Sequence, residues 1–178
     1  RRLGFAPNQV LWNVYACDAA LFAAAAQRRV RWAKRVLFAG RLVPVKRVDL
    51  AVEAFLAASA SEEGWKLIIA GEGPEQASIP AHPSVEVLGR IGALELMHEA
   101  MNSSVFLHTA IHEPWGVVIH EMATAGLPLI STAECGAAAF FVKPGYNGFH
   151  FDRTSGRGLV EALKEAMALS DESRTEFG

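Results

Sequence analysis

Val105-Phe106-Leu107, a loop carrying His112-Glu113-Pro114-Trp115-Gly116, the segment Val117-Val118-Ile119-His120-Glu121-Met122-Ala123-Thr124-Ala125, then Gly126-Leu127-Pro128 and Leu129-Ile130-Ser131 read in succession as strand, loop, helix and strand. Pro114 pushes Glu113 toward an extended backbone, and Gly116 permits a close approach at the turn into the helix. Gly126 followed by Pro128 is the stop signal expected just past a helix end. Glu113 therefore belongs to a loop and Glu121 to a helix. The neighbours of Glu121 are mostly apolar, and a carboxylate on such a helix is costly to bury unless something polar meets it.

The pattern of this βαβ unit extends over the chain. β-rich runs at 36–39, 67–70, 85–88, 105–107 and 129–131 alternate with helical patterns near 48–59, 93–101, 117–125 and 158–168, and with a shorter one at 137–142. Alternation of this kind predicts an α/β fold, a Rossmann-like parallel sheet flanked by helices. Ligands of such sheets bind beyond the carboxyl ends of the strands. Gly40-Arg41, Gly71-Glu72-Gly73-Pro74, Gly89-Arg90 and His112-Glu113-Pro114 each follow a strand, so all four loops are expected at one edge. Before the sheet, residues 10–15 suggest an extended entry and the alanine-rich stretch 19–26 favours helix.

Composition narrows the classes. With 178 residues, 51% of them hydrophobic, the chain is long enough for a single packed domain. A formal net charge of −2 gives no global reason to expect nucleic acid as a partner, and the run Arg28, Arg29, Arg31, Lys34 and Arg35 reads as a solvated linker face. Cys17 and Cys135 lie far apart and outside any CxxC spacing, which argues against a disulfide framework or structural zinc and for a reducing compartment. No signal peptide or bilayer-length apolar run is visible.

Several local patterns carry chemistry. Arg41 and Lys46 sit directly after the first strand, and a fork of donors beside a mobile positive charge suits a diphosphate. Asp49 reads as the N-cap of the next helix. Gly71-Glu72-Gly73-Pro74-Glu75-Gln76 departs from the dinucleotide fingerprint, with Gln76 in place of the third glycine, so a tight ligand-facing turn is expected but not NAD binding. The helix start at Gly116 offers free backbone N–H groups to an anion. His112-Glu113 and His120-Glu121 do not complete HExxH, because Gly116 and Thr124 stand where the second histidine is required. His108 and His112 are read as structural or solvent-exposed.

Taken in order, these motifs resemble the C-terminal, nucleotide-sugar-binding half of the two-domain GT-B glycosyltransferases, particularly the large retaining family 4 (glycosyl transferases group 1). The resemblance runs from Asn13-Val14-Tyr15-Ala16-Cys17-Asp18 through Gly40-Arg41-Leu42 with Lys46, Ala70-Gly71-Glu72-Gly73-Pro74, Leu88-Gly89-Arg90, Glu113-Pro114-Trp115-Gly116, Glu121, Ala125-Gly126-Leu127-Pro128 and Gly145-Tyr146-Asn147-Gly148-Phe149. It implies an interdomain segment and domain entry over 1–35 and a nucleotide-sugar-binding domain over 36–178. It also implies an N-terminal acceptor domain, absent from this sequence, that transfer requires and without which the chain itself is inactive.

By the same resemblance, Arg41 and Lys46 hold the diphosphate of a UDP- or GDP-linked sugar, Glu121 the ribose hydroxyls and Glu113 a hydroxyl of the transferred hexosyl group. Arg41, Lys46 and Glu113 are then the catalytic set. Gly40, Gly71, Gly73, Arg90, Ile91, Pro114, Trp115, Gly116 and Val117 complete the donor site, with Ile91 against the base. No cofactor or metal is implied, the acceptor is a sugar, lipid-linked or other hydroxyl, and the location is cytoplasmic, with membrane contact only through the absent domain. Two departures stand out: Arg47 follows Lys46 where glycine is common, and Cys135-Gly136-Ala137-Ala138-Ala139 lacks the glutamate often found after that turn. The alternatives are a non-catalytic nucleotide-sugar-binding or scaffold module, and a GT-B sugar-nucleotide epimerase.

Overall fold

In the computed structural model, which describes residues 6, 15–58, 60 and 62–177, six short strands form one all-parallel sheet. They are β1 (Arg35–Ala39), β2 (Lys66–Ala70), β3 (Val85–Gly89), β4 (Val105–Leu107), β5 (Leu129–Ser131) and β6 (Gly148–His150), in the spatial order β3-β2-β1-β4-β5-β6. The central strands are apolar on both faces: Val36, Leu37, Phe38, Leu67, Ile68 and Ile69 are all buried. That is the pattern a sheet covered on both sides demands. Strand order reverses between β1 and β4, and there the loops leaving the carboxyl ends diverge to open a crevice.

Helices fill both faces. α2 (Val48–Ala57) and α6 (Leu159–Ala168) share one core with Phe38, Phe55, Leu163 and Met167. α1 (Ala19–Arg28), α3 (Ala93–Met101), α4 (Val117–Thr124) and α5 (Gly136–Phe141) close the other, with Phe22, Phe106, Ile119 and Met122 at its centre. Each fully buried phenylalanine or leucine contributes on the order of 2 kcal/mol of apolar transfer free energy. The predicted alternation is observed throughout, and the alanine-rich stretch is a helix capped by Asp18, which accepts from the Leu21 amide at 3.0 Å.

α4 ends as its sequence dictates. Gly126 takes φ +68°, its N–H reaches the Ala123 carbonyl, and the Leu127 N–H reaches Met122. This paired closure returns the chain to β5.

Two expectations need amendment. Asp49 is not the N-cap of α2. A 3-10 turn over Pro44–Lys46 reverses the chain earlier than expected, Arg47 occupies the cap position with φ +50°, and Asp49 lies inside the first turn, bonded to the Arg47 Nε at 2.9 Å. The basic run is not one solvated face either. Arg29 folds inward and donates to the Ala100 and Ala125 carbonyls at 3.0 Å each, stacked over Trp32, while Arg35 enters β1 and pairs with Glu99 at 2.5 Å. Strand β6 and the last helix, α7 (Asp171–Phe177), have no counterpart in the sequence reading. Of the extended entry, residues 10–14 lie outside the described residues.

Candidate functional site

At the strand-order reversal the loops after β1, β2 and β3 face α4 across a cleft of about 440 Å³, a size that suits a small-molecule ligand. Ala39, Gly40 and Arg41 line it from β1, Ala70, Gly71 and Glu72 from β2, Arg90, Ile91 and Leu96 from the β3 side, and Val118 and Glu121 from α4. The walls are mainly apolar, with cations and a carboxylate at set points.

The β1 and β2 loops approach so closely that a side chain would not fit between them. A Cβ on Gly71 would lie 1.9 Å from the Gly40 carbonyl oxygen, and one on Gly73 2.3 Å from that of Leu42. The glycines thus bring two backbones together beside the cleft. Gly73 braces this turn, but the cleft surface itself belongs to Gly71.

Glu121 is half-buried in the α4 wall, and its carboxylate has no hydrogen bond or ion pair among the described residues. Burial pushes its carboxyl above the ordinary glutamate value. The polar partner expected for this carboxylate is therefore not another side chain among the described residues, and Glu121 lines the cleft. Arg41 is exposed at the opposite wall, likewise without a side-chain partner among the described residues. Arg90 makes only a long, exposed contact with Glu72 at 3.7 Å, an arrangement worth little.

A second cluster sits at the amino end of α4. The Lys46 Nζ donates to the Glu113 Oε2, with both side chains about 15% exposed. Burial alone would raise the Glu113 carboxyl, but the bonded Lys46 ammonium and the Trp115 amide outweigh it and hold the group below its ordinary value. Gly116 caps α4 in the left-handed region at φ +84°, where an added Cβ would stand 3.0 Å from the Glu113 Cγ and from the Cys135 Sγ. The first-turn amides of Val117 and Val118 have no intrahelical acceptor at this end. Trp115 packs instead among Tyr15, Phe140 and Phe141, and Pro114 presents its carbonyl to Gly136.

The predicted set thus divides. Gly40, Arg41, Gly71, Arg90, Ile91 and Glu121 line the cleft, whereas Lys46, Glu113, Pro114, Trp115, Gly116 and Val117 gather at the amino end of α4. That helix, with Gly116 at one end and Glu121 a turn inward, joins the two groups.

Of two residues after β4, sequence reading took His108 as structural or solvent-exposed and missed Thr109 altogether. The Thr109 hydroxyl stands 2.9 Å from the Lys46 carbonyl and 2.8 Å from that of Arg47, tying the lysine's turn to the next strand. His108 is buried behind Glu113. Its Nδ1 is 3.2 Å from the Ser131 Oγ, its Nε2 4.0 Å from the Glu113 Oε2, and the Nε2 has no hydrogen-bond partner. Burial, then the Lys46 charge, pushes this imidazole down to about 4, so it is neutral and its approach to Glu113 is not an ion pair. The signal was present: both residues follow β4 at the carboxyl edge, where side chains reach the crevice.

Among the described residues no group of three or more His, Cys, Asp or Glu side chains is placed to hold a metal, and no helix is long and apolar enough to cross a membrane.

The family model for glycosyl transferases group 1 matches residues 29–178. The chain belongs to that family. Relatives include the exopolysaccharide phosphotransferase SCO2592 of Streptomyces coelicolor, 30% identical over 75% of this chain and 15% of its own length. The GDP-mannose-dependent alpha-mannosyltransferase of Mycobacterium tuberculosis is 32% identical over 64% of this chain and 31% of its own. The chain therefore spans under a third of the length of these two relatives. Among solved structures, the C-terminal domain of the glycosyl transferase group 1 family protein LpcC from Francisella tularensis superposes with TM-score 0.70 at 16% identity, covering 91% of this chain and 92% of that one. A glycine-to-arginine mutant of S. aureus TarM in complex with fondaparinux, alpha-GlcNAc-glycerol and UDP gives TM-score 0.74 at 18% identity, over 83% of this chain and 31% of that one. At these identities the superpositions establish the fold, a GT-B C-terminal-type Rossmann-like domain.

Proposed function

We propose that this group 1 domain binds a nucleotide-diphospho-sugar at the β1–β4 crevice, as the donor-binding half of a retaining hexosyltransferase that uses an N-terminal domain for its acceptor. The observation that carries this reading is the Glu121 carboxylate, half-buried and unpaired among the described residues on the wall of a cleft whose far side holds the unpaired Arg41. Two acceptor oxygens suit the paired hydroxyls of a ribose, and a guanidinium fork suits a diphosphate. Ile91 and Leu96 supply the apolar wall for a base. UDP in the TarM complex and the GDP-mannose of the mycobacterial relative support a uridine or guanosine diphosphate.

Lys46 and Glu113 take the other half of the donor. A cation at the departing diphosphate stabilises the charge that develops on it, while Glu113 accepts from a hydroxyl of the sugar. The first-turn amides of α4 add fixed partial positive charge on the same side. Positioning and electrostatics supply this step without a metal.

The test is transfer by the full-length protein from donors labelled separately in the sugar and in the β-phosphate. Sugar label moving to an acceptor without the phosphate label, and lost in Glu121→Ala, supports the reading. Movement of both labels together would favour the phosphotransfer named for the Streptomyces relative. Binding without movement of either label would favour a binding-only module, and interconversion of donor sugars an epimerase.

A further inference from the structure

We propose that His108 is a positioning residue that takes over the Glu113 carboxylate when a nucleoside diphosphate draws Lys46 away. The inference rests on the donor-site reading above and adds to it a partner exchange inside the site.

Lys46 cannot be fully spent on Glu113 and also neutralise a diphosphate. When its ammonium turns to the phosphates, Glu113 loses the donor that Oε2 now accepts from. A carboxylate this sheltered from water needs a replacement. One group stands ready: the His108 Nε2, fully buried, without a partner and 4.0 Å from that same oxygen.

The tautomer follows from the surroundings. An unprotonated Nε2 would aim a lone pair at a carboxylate, which is repulsive, so the ring proton belongs on Nε2 and Nδ1 accepts from the Ser131 hydroxyl at 3.2 Å. A buried N–H left unsatisfied is costly and calls for an explanation. Here it is the donor held back for the ligand-bound arrangement. The backbone supports the exchange: Thr109 bonds the carbonyls of Lys46 and Arg47, so the lysine side chain swings from a fixed base while His108, the next residue back, keeps its place.

The ligands that trigger the exchange are those carrying a second phosphate. Calorimetric titration with UDP and GDP, set against UMP and GMP, separates this role from a structural one. For whichever nucleotide binds, His108→Phe is expected to lower diphosphate affinity roughly tenfold, the value of a hydrogen bond to a charged group, and to leave monophosphate affinity unchanged. His108→Gln, which keeps an N–H near the Nε2 position, should recover most of the loss. In a Lys46→Met background, where Glu113 has no lysine to lose, His108→Phe should have no further effect.

Equal losses for mono- and diphosphate would overturn the proposal in favour of simple packing, and so would undiminished diphosphate affinity. Failure of every nucleotide to bind the unaltered chain would instead remove the donor-site reading beneath it. Nitrogen NMR of the unaltered protein gives an independent check: adding the diphosphate should shift the His108 Nε2–H resonance downfield, and an unmoved resonance contradicts the exchange.

Discussion

Lys46 and Glu113, 67 residues apart in sequence, close an ion pair that water barely reaches. One end hangs from the turn after β1, the other from the loop before α4, so the pair clamps the two walls of the crevice. Breaking it from one side leaves a sheltered charge without its partner. Lys46→Ala and Glu113→Ala should each cost about 2 kcal/mol, and the double variant should be more stable than the sum of the two predicts, with a coupling of roughly 1–3 kcal/mol. Urea unfolding of the four proteins measures this. Strict additivity would mean the clamp contributes nothing.

Arg47 is the one non-glycine residue among those described with a left-handed backbone, at φ +50°. The Asp49 carboxylate and Thr109 hydroxyl hold it there. Comparing Arg47→Gly with Arg47→Ala removes the side chain in both cases and isolates the backbone. The glycine variant should be the more stable by about 1 kcal/mol, the reverse of the usual ranking within a helix.

Acid should unfold this domain early through His108. Its native ring stays neutral down to about 4, whereas in the unfolded chain it takes a proton near the ordinary 6.5. Between those values the unfolded state binds the extra proton, so stability present above 6.5 declines as the pH falls, by roughly 3 kcal/mol in all. The lowered Glu113 carboxyl acts with the same sign at still lower pH. Unfolding free energies from pH 7 to pH 4 should therefore fall steeply, and His108→Phe should flatten the slope. A slope unchanged by that variant would place the titration elsewhere.

Arg29 joins the carboxyl ends of two helices, donating to Ala100 beside the end of α3 and to Ala125 at the end of α4. Removing it strands both carbonyls and the Trp32 stacking partner. Arg29→Ala should cost about 2–3 kcal/mol, and Arg29→Lys should restore little because one ammonium cannot reproduce the planar fork. Thermal melting of the two variants distinguishes them.

Much of this architecture was legible from local patterns. Strand runs such as 67–70 are apolar on both faces, and Gly126-Leu127-Pro128 announces the end of α4, so a covered parallel sheet and its ligand edge follow from sequence alone. β6 escaped notice because Gly148-Phe149-His150 continues the turn-like Gly145-Tyr146-Asn147 and lacks the unbroken apolar run of the equally short β4, its strand state coming from pairing with β5. Asp49 has the chemistry of a cap, but a preceding turn three residues long shifted the cap to Arg47. Arg29 reads as one of several exposed cations until the fold brings two helix ends beside it. The candidate site divides in the same way: the loop after β1 places Arg41 and the helix α4 places Glu121, but the pairing of Lys46 with Glu113 and the burial of His108 are tertiary facts that no spacing encodes.

Titration calorimetry of this chain with UDP, GDP and ADP and their common sugar conjugates, repeated on Arg41→Ala and Glu121→Ala, tests the donor site most directly. The account predicts that one nucleotide binds with its sugar conjugate and that each substitution weakens it at least tenfold, since each removes a charged group from opposite walls of one cleft. A nucleotide that binds all three proteins equally would contradict the assignment.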